Sequence, residues 1–365
     1  MKNNEELRQF VALSLVKGMG PVTFKKLLAR FGDISSIFKA DQKDFEGIER
    51  ISRSIYSELK NQDILEKTDI EIQKADKEKV NIISFSDARY PENLREIYDA
   101  PILLYVKGAL TENHVPRVAI VGSRRPSLYG LRMAGKIASE LSQAGVVVVS
   151  GLALGIDSAA HAGALSGNSA TLAVLGSGLS NIYPEQNKKL AEQIIEKGAL
   201  ISEYPMETLP IPGNFPIRNR IISGLSQLVL VVEAGEKSGA LITADAALDQ
   251  GRDVLAIPGN ADSERSYGTH SLLKQGAKLV TSAADVLEEL KMSSGAIKTA
   301  AEKKPLNLSP EEEKLFSLLQ NEPLHVDTLI EESGLAPSRI ITHISRLQMK
   351  GYVKELPGKN FIKNI

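Results

Sequence analysis

Between Arg117 and Ser139 the chain carries five basic side chains (Arg117, Arg124, Arg125, Arg132 and Lys136) and no acid. Two of them lie in the turn Gly122-Ser123-Arg124-Arg125-Pro126-Ser127, between the apolar run Val118–Val121 and a segment with Leu128, Leu131, Ile137, Ala138 and Leu141 at helical spacing. A strand-to-helix turn of this kind aims backbone N–H groups, and here two guanidinium groups, at whatever lies beyond the strand end, which is the chemistry of holding phosphate. Four further segments share this small, polar character: Ser150-Gly151 through Gly155 to Asp157; Gly176-Ser177-Gly178 with Tyr183-Pro184; Pro212-Gly213-Asn214-Phe215-Pro216 leading to Arg218, Asn219 and Arg220; and Glu233 to Gly239, which contains Lys237 and Ser238. Arginine forks match phosphate oxygens, and small residues let backbone approach a ligand. Phe215 offers either a ring on which a base stacks or a plug for the core beneath the loop.

Catalytic constellations fail by comparison. The five histidines, His114, His161, His270, His325 and His343, are dispersed; only Asp157 and His161, one helical turn apart, make an acid–imidazole pair. Two such groups do not make a metal site, and an acid at a helix start is explained by the helix dipole. Cysteine is absent, which excludes disulfides, thiolate metal sites and thiol nucleophiles. Gly130 to Lys136 spells part of a phosphate loop, but Ile137 follows where a Ser or Thr must hold magnesium, and the segment falls inside a helix. A dinucleotide fingerprint also fails, because the turn after Gly122 lacks its second glycine and Ser150-Gly151 stands where a ribose-binding acid belongs. No catalytic residue, metal or cofactor is expected.

To position these loops the chain alternates strand and helix. Apolar runs near Val118–Val121, Val146–Val149, Ala170–Leu175, Leu200–Ser202, Leu228–Val232, Val254–Ile257 and Leu279–Thr281 read as strands, separated by helical patterns such as Leu128–Ala144 and Ile156–Leu165. This predicts an α/β, Rossmann-like, doubly wound and mostly parallel sheet over residues 80–290, with two short strands, Val80–Phe85 and Ile102–Val106, leading into it. Residues 1–79 read as a helical domain. The turn Lys17-Gly18-Met19-Gly20-Pro21 within it is either a helix-hairpin-helix of the SAM-like kind, able to hold a DNA phosphate, or a plain helical hairpin, and Gly47-Ile48 before Ser52–Leu59 suggests a degenerate second copy. Asp63–Lys79 reads as a solvated mixed-charge helix. Residues 291–307 are small and polar, a linker. Residues 308–365, opened by the capping box Ser309-Pro310-Glu311-Glu312, outline a winged helix whose third helix carries Arg339, His343, Arg346 and Lys350 along one face. That face is a solvated stripe or a docking surface for DNA or protein.

Charge bounds the partner. With 44 basic and 45 acidic residues, net −1, any polyanion site is local rather than spread over the surface. No signal-like start and no apolar stretch of spanning length is seen, so a cytoplasmic protein without membrane contact is expected.

Taken in order, Gly122-Ser-Arg124, Ser150-Gly-Leu-Ala-Leu-Gly-Ile-Asp157, Asn214-Phe-Pro-Ile-Arg-Asn-Arg220, Ser238-Gly-Ala-Leu-Ile-Thr243, Gly251-Arg-Asp-Val-Leu-Ala-Ile-Pro-Gly259 and Gly268–Ala277 resemble the DNA-processing protein A (DprA) family over about Tyr90 to Leu290. The resemblance implies a recombination mediator of natural transformation that binds incoming single-stranded DNA, dimerises and loads the RecA recombinase. It makes Arg124 the phosphate ligand, with Gly122 and Ser123 shaping its turn beside Arg125, and adds Ser150, Gly151, Phe215, Arg218, Asn219, Arg220, Lys237 and Ser238 as contacts. It places the dimer contact at His270, Leu273 and Lys278. One departure is Leu154, where several members carry a basic residue. Two rivals remain at this stage. One is a phosphoribohydrolase of the lysine-decarboxylase-like group, whose Pro-Gly-Gly-x-Gly-Thr loop is replaced here by Ala234-Gly-Glu-Lys-Ser-Gly239; the other is a winged-helix regulator with a ligand-sensing sheet.

Overall fold

The structure, a computed structural model, describes residues 2–48, 53–292, 308–319 and 323–363. The chain divides into two compact units, residues 1–298 and 299–365.

The first unit opens with α1 (Lys2–Leu15), α2 (Pro21–Phe31), α3 (Ile34–Lys39), α4 (Arg53–Leu59) and α5 (Gln62–Lys77). It continues with β1 (Asn81–Ser84), α6 (Glu92–Glu96), β2 (Leu103–Gly108), β3 (Arg117–Val121), α7 (Leu128–Gln143), β4 (Val147–Ser150), α8 (Ile156–Leu165), β5 (Thr171–Val174), α9 (Lys188–Lys197) and β6 (Ala199–Ser202). It ends with α10 (Asn214–Gly224), β7 (Leu228–Val231), α11 (Gly239–Asp249), β8 (Asp253–Ala256), α12 (Tyr267–Lys274), β9 (Lys278–Leu279) and α13 (Ala283–Glu289). The nine strands form one sheet in the order β1-β2-β6-β5-β4-β3-β7-β8-β9, parallel from β6 to β9, with β1 and β2 antiparallel at one edge.

Strand periodicity explains the layers. Val118 and Ile120 of β3 point to the face covered by α7, α8 and α13, while Ala119 and Val121 point to the face covered by α10 and α11. Since β3 to β7 are buried along their whole length, each reads as a continuous apolar run rather than an alternating one. The helix α7 lies so close to α8 that a Cβ on Gly163 would collide with the Gly135 carbonyl. Gly135, part of the apparent phosphate loop, is therefore a packing residue. After β6 the chain crosses to the other face through α10 and returns as β7 on the far side of β3. That reversal, between β3 and β7, is the topological switch point, where ligands of doubly wound sheets bind.

The N-terminal helices share a core with β1, β2, β5 and β6 through Phe10, Leu13, Phe24, Tyr105 and Leu175. Helix α5 is not wholly solvated: Ile64, Thr68, Glu71 and Ala75 are buried, and Glu71 accepts the Met206 amide at 2.7 Å. At the hairpin turn, the Lys17 amide donates to the Glu58 carboxylate at 2.6 Å, so that donor is occupied from within the chain. The proposed second copy of the hairpin falls partly on residues 49–52, and most of the linker on 293–307, both outside the described residues.

The second unit holds α14 (Pro310–Leu318), β10 (Leu324–His325), α15 (Val326–Ser333), α16 (Pro337–Met349), β11 (Val353–Leu356) and β12 (Asn360–Lys363), with the small sheet ordered β10-β12-β11. This is a winged helix, and the Ser309/Glu312 capping box forms as expected. Three members of the basic stripe on α16 meet carboxylates of α14, while Arg346 is exposed. Glu311 on α14 takes Arg339 at 2.8 Å and His343 at 2.6 Å, and Glu312 takes Lys350 at 2.8 Å.

Candidate nucleic-acid interface

The turn after β3 is fixed by the turn after β7. The Ser123 amide donates to the Glu233 carbonyl (2.7 Å), and Ser127 donates to the Glu233 carboxylate through its amide (2.9 Å) and its hydroxyl (2.5 Å) while capping α7 by accepting from Gly130 N. The Ser123 carbonyl in turn accepts from Ile156 N at the start of α8. Gly155 makes this approach possible: its φ is +86°, and a Cβ there would strike the Ser123 carbonyl. Glu233 received no role from sequence reasoning; an acid ending an apolar strand was the available signal.

Beyond the switch point lies a cavity of about 690 Å³ lined by Gly122, Ser123, Arg124, Arg125, Asp157, Tyr183, Phe215, Arg218, Asn219, Lys237 and Ser238, with Pro210 and Pro212 on its rim. Four cationic side chains thus face one carboxylate. The N-termini of α10 and α11 open onto the same space, adding the positive ends of their dipoles. Arg124 and Arg125 are exposed, and no carboxylate lies within ion-pairing distance of Arg124, Arg125 or Lys237 among the described residues.

Arg218 plays a different part. It is buried, donates to the carbonyls of Gly151 and Val174, and lies flat enough against Gly151 that a Cβ there would sit 2.7 Å from its guanidinium. Burial pushes its pKa down to about 10, opposed by the nearby Asp157 carboxylate. Asp157 accepts the Gly151 and Ala153 amides (3.1 and 3.4 Å), and its own burial pushes its pKa up. It does not pair with His161, whose Nδ1 meets the Thr171 hydroxyl at 2.8 Å. Because Thr171 Oγ1 donates to the Val148 carbonyl, the imidazole must donate through Nδ1, and burial holds its pKa at about 3.

Phe215 forms part of the cavity wall. Its half-buried ring packs against Tyr183 (centroids 5.6 Å apart), with the guanidinium carbons of Arg124 and Arg218 at 5.5 and 6.0 Å. Tyr183, another residue given no site role from sequence, shares with Arg124, Phe215 and the half-exposed Leu154 a small adjoining recess that Gly151 also lines. Asn219 donates to the Gly239 carbonyl, tying α10 to the start of α11.

Two expected contacts lie elsewhere. Ser150 is buried below the loop, its hydroxyl donating to the Ile120 carbonyl at 2.6 Å. Arg220 points away from the cavity and is held by Glu203 (2.5 Å) and Asp99 (3.0 Å). Helix geometry gives the reason: residues two apart are rotated by about 200°, so Arg218 and Arg220 cannot both face one pocket. The Gly151 amide is likewise consumed by Asp157.

Fold and cavity together define a Rossmann-like protein with a cation-lined cavity at its switch point and an appended winged helix. Residues 81–291 match the family model for DNA recombination-mediator protein A, and residues 299–359 match that for the DprA winged helix domain. The chain belongs to this DprA/Smf family. It is 34% identical to the Synechocystis protein Smf, covering 98% of this chain and 99% of that one, and 48% identical to the Streptococcus pneumoniae DNA processing protein DprA over 56% and 73% of the two chains. Among solved structures, the S. pneumoniae DprA superposes with a TM-score of 0.59 at 37% identity, over 77% of this chain and 95% of that one. The Helicobacter pylori DNA processing protein A, solved for its single-stranded DNA binding mode, superposes with a TM-score of 0.53 at 31% identity, over 58% and 96%.

Proposed function

We propose that this protein is a non-catalytic, cytoplasmic mediator of recombination that binds incoming single-stranded DNA in the switch-point cavity during transformation, shields it, and passes it to the RecA recombinase as a homodimer. The observation that carries the reading is the set of unpaired cations, Arg124, Arg125 and Lys237, set around an aromatic wall of Phe215 and Tyr183. Phosphates meet the cations and helix N-termini, while bases, all of which have a π-face, meet the rings. The groups that an enzyme would use are spent on structure: Asp157 holds loop amides and His161 a buried hydroxyl. For the dimer, the family resemblance and the sheet's free edge support one region. His270 and Leu273 lie on α12 beside the terminal strand β9, where Lys278 pairs with Glu289 and Leu279 is 52% exposed.

The test is a fluorescence anisotropy titration of the full chain with labelled single-stranded DNA, duplex and a mononucleotide at two salt concentrations. The expected order is single strand, then duplex, then mononucleotide, with the single strand weakening as salt rises. Mononucleotide binding that equals the single strand and ignores salt would instead mark a small-ligand site.

A further inference from the structure

The basic segment from Arg117 to Ser139 is not used up by the cavity. Of its five cations, Arg117 is buried at the other end of β3, donating to the Thr111 and Glu112 carbonyls. Arg124 and Arg125 stand at the cavity rim. The remaining two, Arg132 and Lys136, lie outside it on α7, three and seven residues after Tyr129, which places all three side chains on one face of the helix. Tyr129 is 38% exposed and is held in place by its hydroxyl, which donates to the Pro258 carbonyl beyond β8 at 3.1 Å. The Arg132 guanidinium sits 5.8 Å from the centre of its ring. Lys136 is largely exposed, and among the described residues its one ion-pair partner is Glu140 at 3.9 Å, a helix-surface pair worth little in water.

We propose that this face, from Arg125 at the rim through Tyr129 and Arg132 to Lys136, is a second binding track for single-stranded DNA, along which the strand runs after leaving the cavity. The inference rests on the cavity being a single-strand site. It commits to the same ligand because the track is continuous with the cavity through Arg124-Arg125, is cationic, and carries an aromatic ring held by a backbone carbonyl. From Tyr129 to Lys136 the helix advances about 10 Å. A stacked strand rises by about 3.4 Å per nucleotide, so the track adds roughly three nucleotides to those in the cavity.

The experiment compares oligothymidylates of about 5 and about 20 nucleotides, lengths that bracket a pocket-sized footprint. An Arg132→Ala/Lys136→Ala variant is expected to bind the short strand as wild type does and the long strand several-fold more weakly, with a salt slope shallower by about 1.4 for two lost phosphate contacts. The charge-retaining Arg132→Lys/Lys136→Arg variant should recover the slope. Unchanged long-strand affinity and slope in the alanine variant would overturn the track, as would an equal loss for both lengths, which would mean that the variant disturbs the cavity. If the wild-type protein binds neither strand, the cavity reading itself fails, and the track with it.

Discussion

Arg124, Arg218 and Arg220 look interchangeable as letters, yet the fold gives them three different tasks: a free cation, a buried strut and an ion-pair anchor. The Arg124→Ala variant should therefore keep its melting temperature and bind single strands roughly tenfold more weakly, since a charge-assisted contact is worth about 1.5–3 kcal/mol at most. Arg218→Met should do the reverse first: it leaves the Gly151 and Val174 carbonyls without their buried donor and removes the positive charge that opposes the burial of Asp157, and should cost about 1–3 kcal/mol or more, read as a drop in denaturation midpoint. His161 is held neutral with a pKa near 3 against an ordinary 6.5, so the unfolded chain binds more protons as pH falls. Its contribution is complete above pH 6.5 and is lost as pH falls toward 3. A His161→Asn variant, followed by thermal melts across this window, should show a flatter decline than wild type. Residue type and loop membership were legible in the sequence, as Gly122 to Arg125, Phe215, Lys237 and Ser238 show by lining one cavity or its wall. What each arginine does was not, because the deciding partners, Glu203, Asp99 and the Gly151 carbonyl, are distant in sequence.

Strands and helices of the sheet were readable because four-residue apolar runs buried on both faces leave little ambiguity, and the observed β3 to β8 fall within a residue or two of expectation. The inward face of α5 was less so: Glu71 is polar by type but accepts a backbone amide in the interior, which no periodicity reveals. The same holds for α16, where Arg339, His343 and Lys350 of the charged stripe are answered by Glu311 and Glu312 on α14, an encounter set by helix packing. The α7 N-cap offers the element-scale test. Ser127→Ala removes a cap and leaves the Glu233 carboxylate with one donor fewer, so it should destabilise the protein by about 1–3 kcal/mol and weaken single-strand binding by loosening the Arg124 turn. Calorimetry and anisotropy on the one variant check both halves.

At the scale of the whole molecule, a chain of net charge −1 sets Arg124, Arg125 and Lys237 around one cavity, and the N-terminal helices help to shape it. Glu71 holds Met206 and Lys74 pairs with Glu207, steadying the loop whose Pro210 and Pro212 rim the cavity. Cutting the chain after residue 298 should leave single-strand affinity within a few-fold of the full protein, because every residue lining the cavity lies in the first unit. Whether unpaired cations at the switch point neutralise a sugar-phosphate chain is decided by the salt dependence of single-strand affinity in wild type and an Arg124→Ala/Lys237→Ala variant. Each phosphate contact contributes a slope of about −0.7 for single strands, so the variant's slope should be shallower by about 1.4 with its melting temperature unchanged. Equal slopes and equal affinities in the two proteins would contradict such neutralisation.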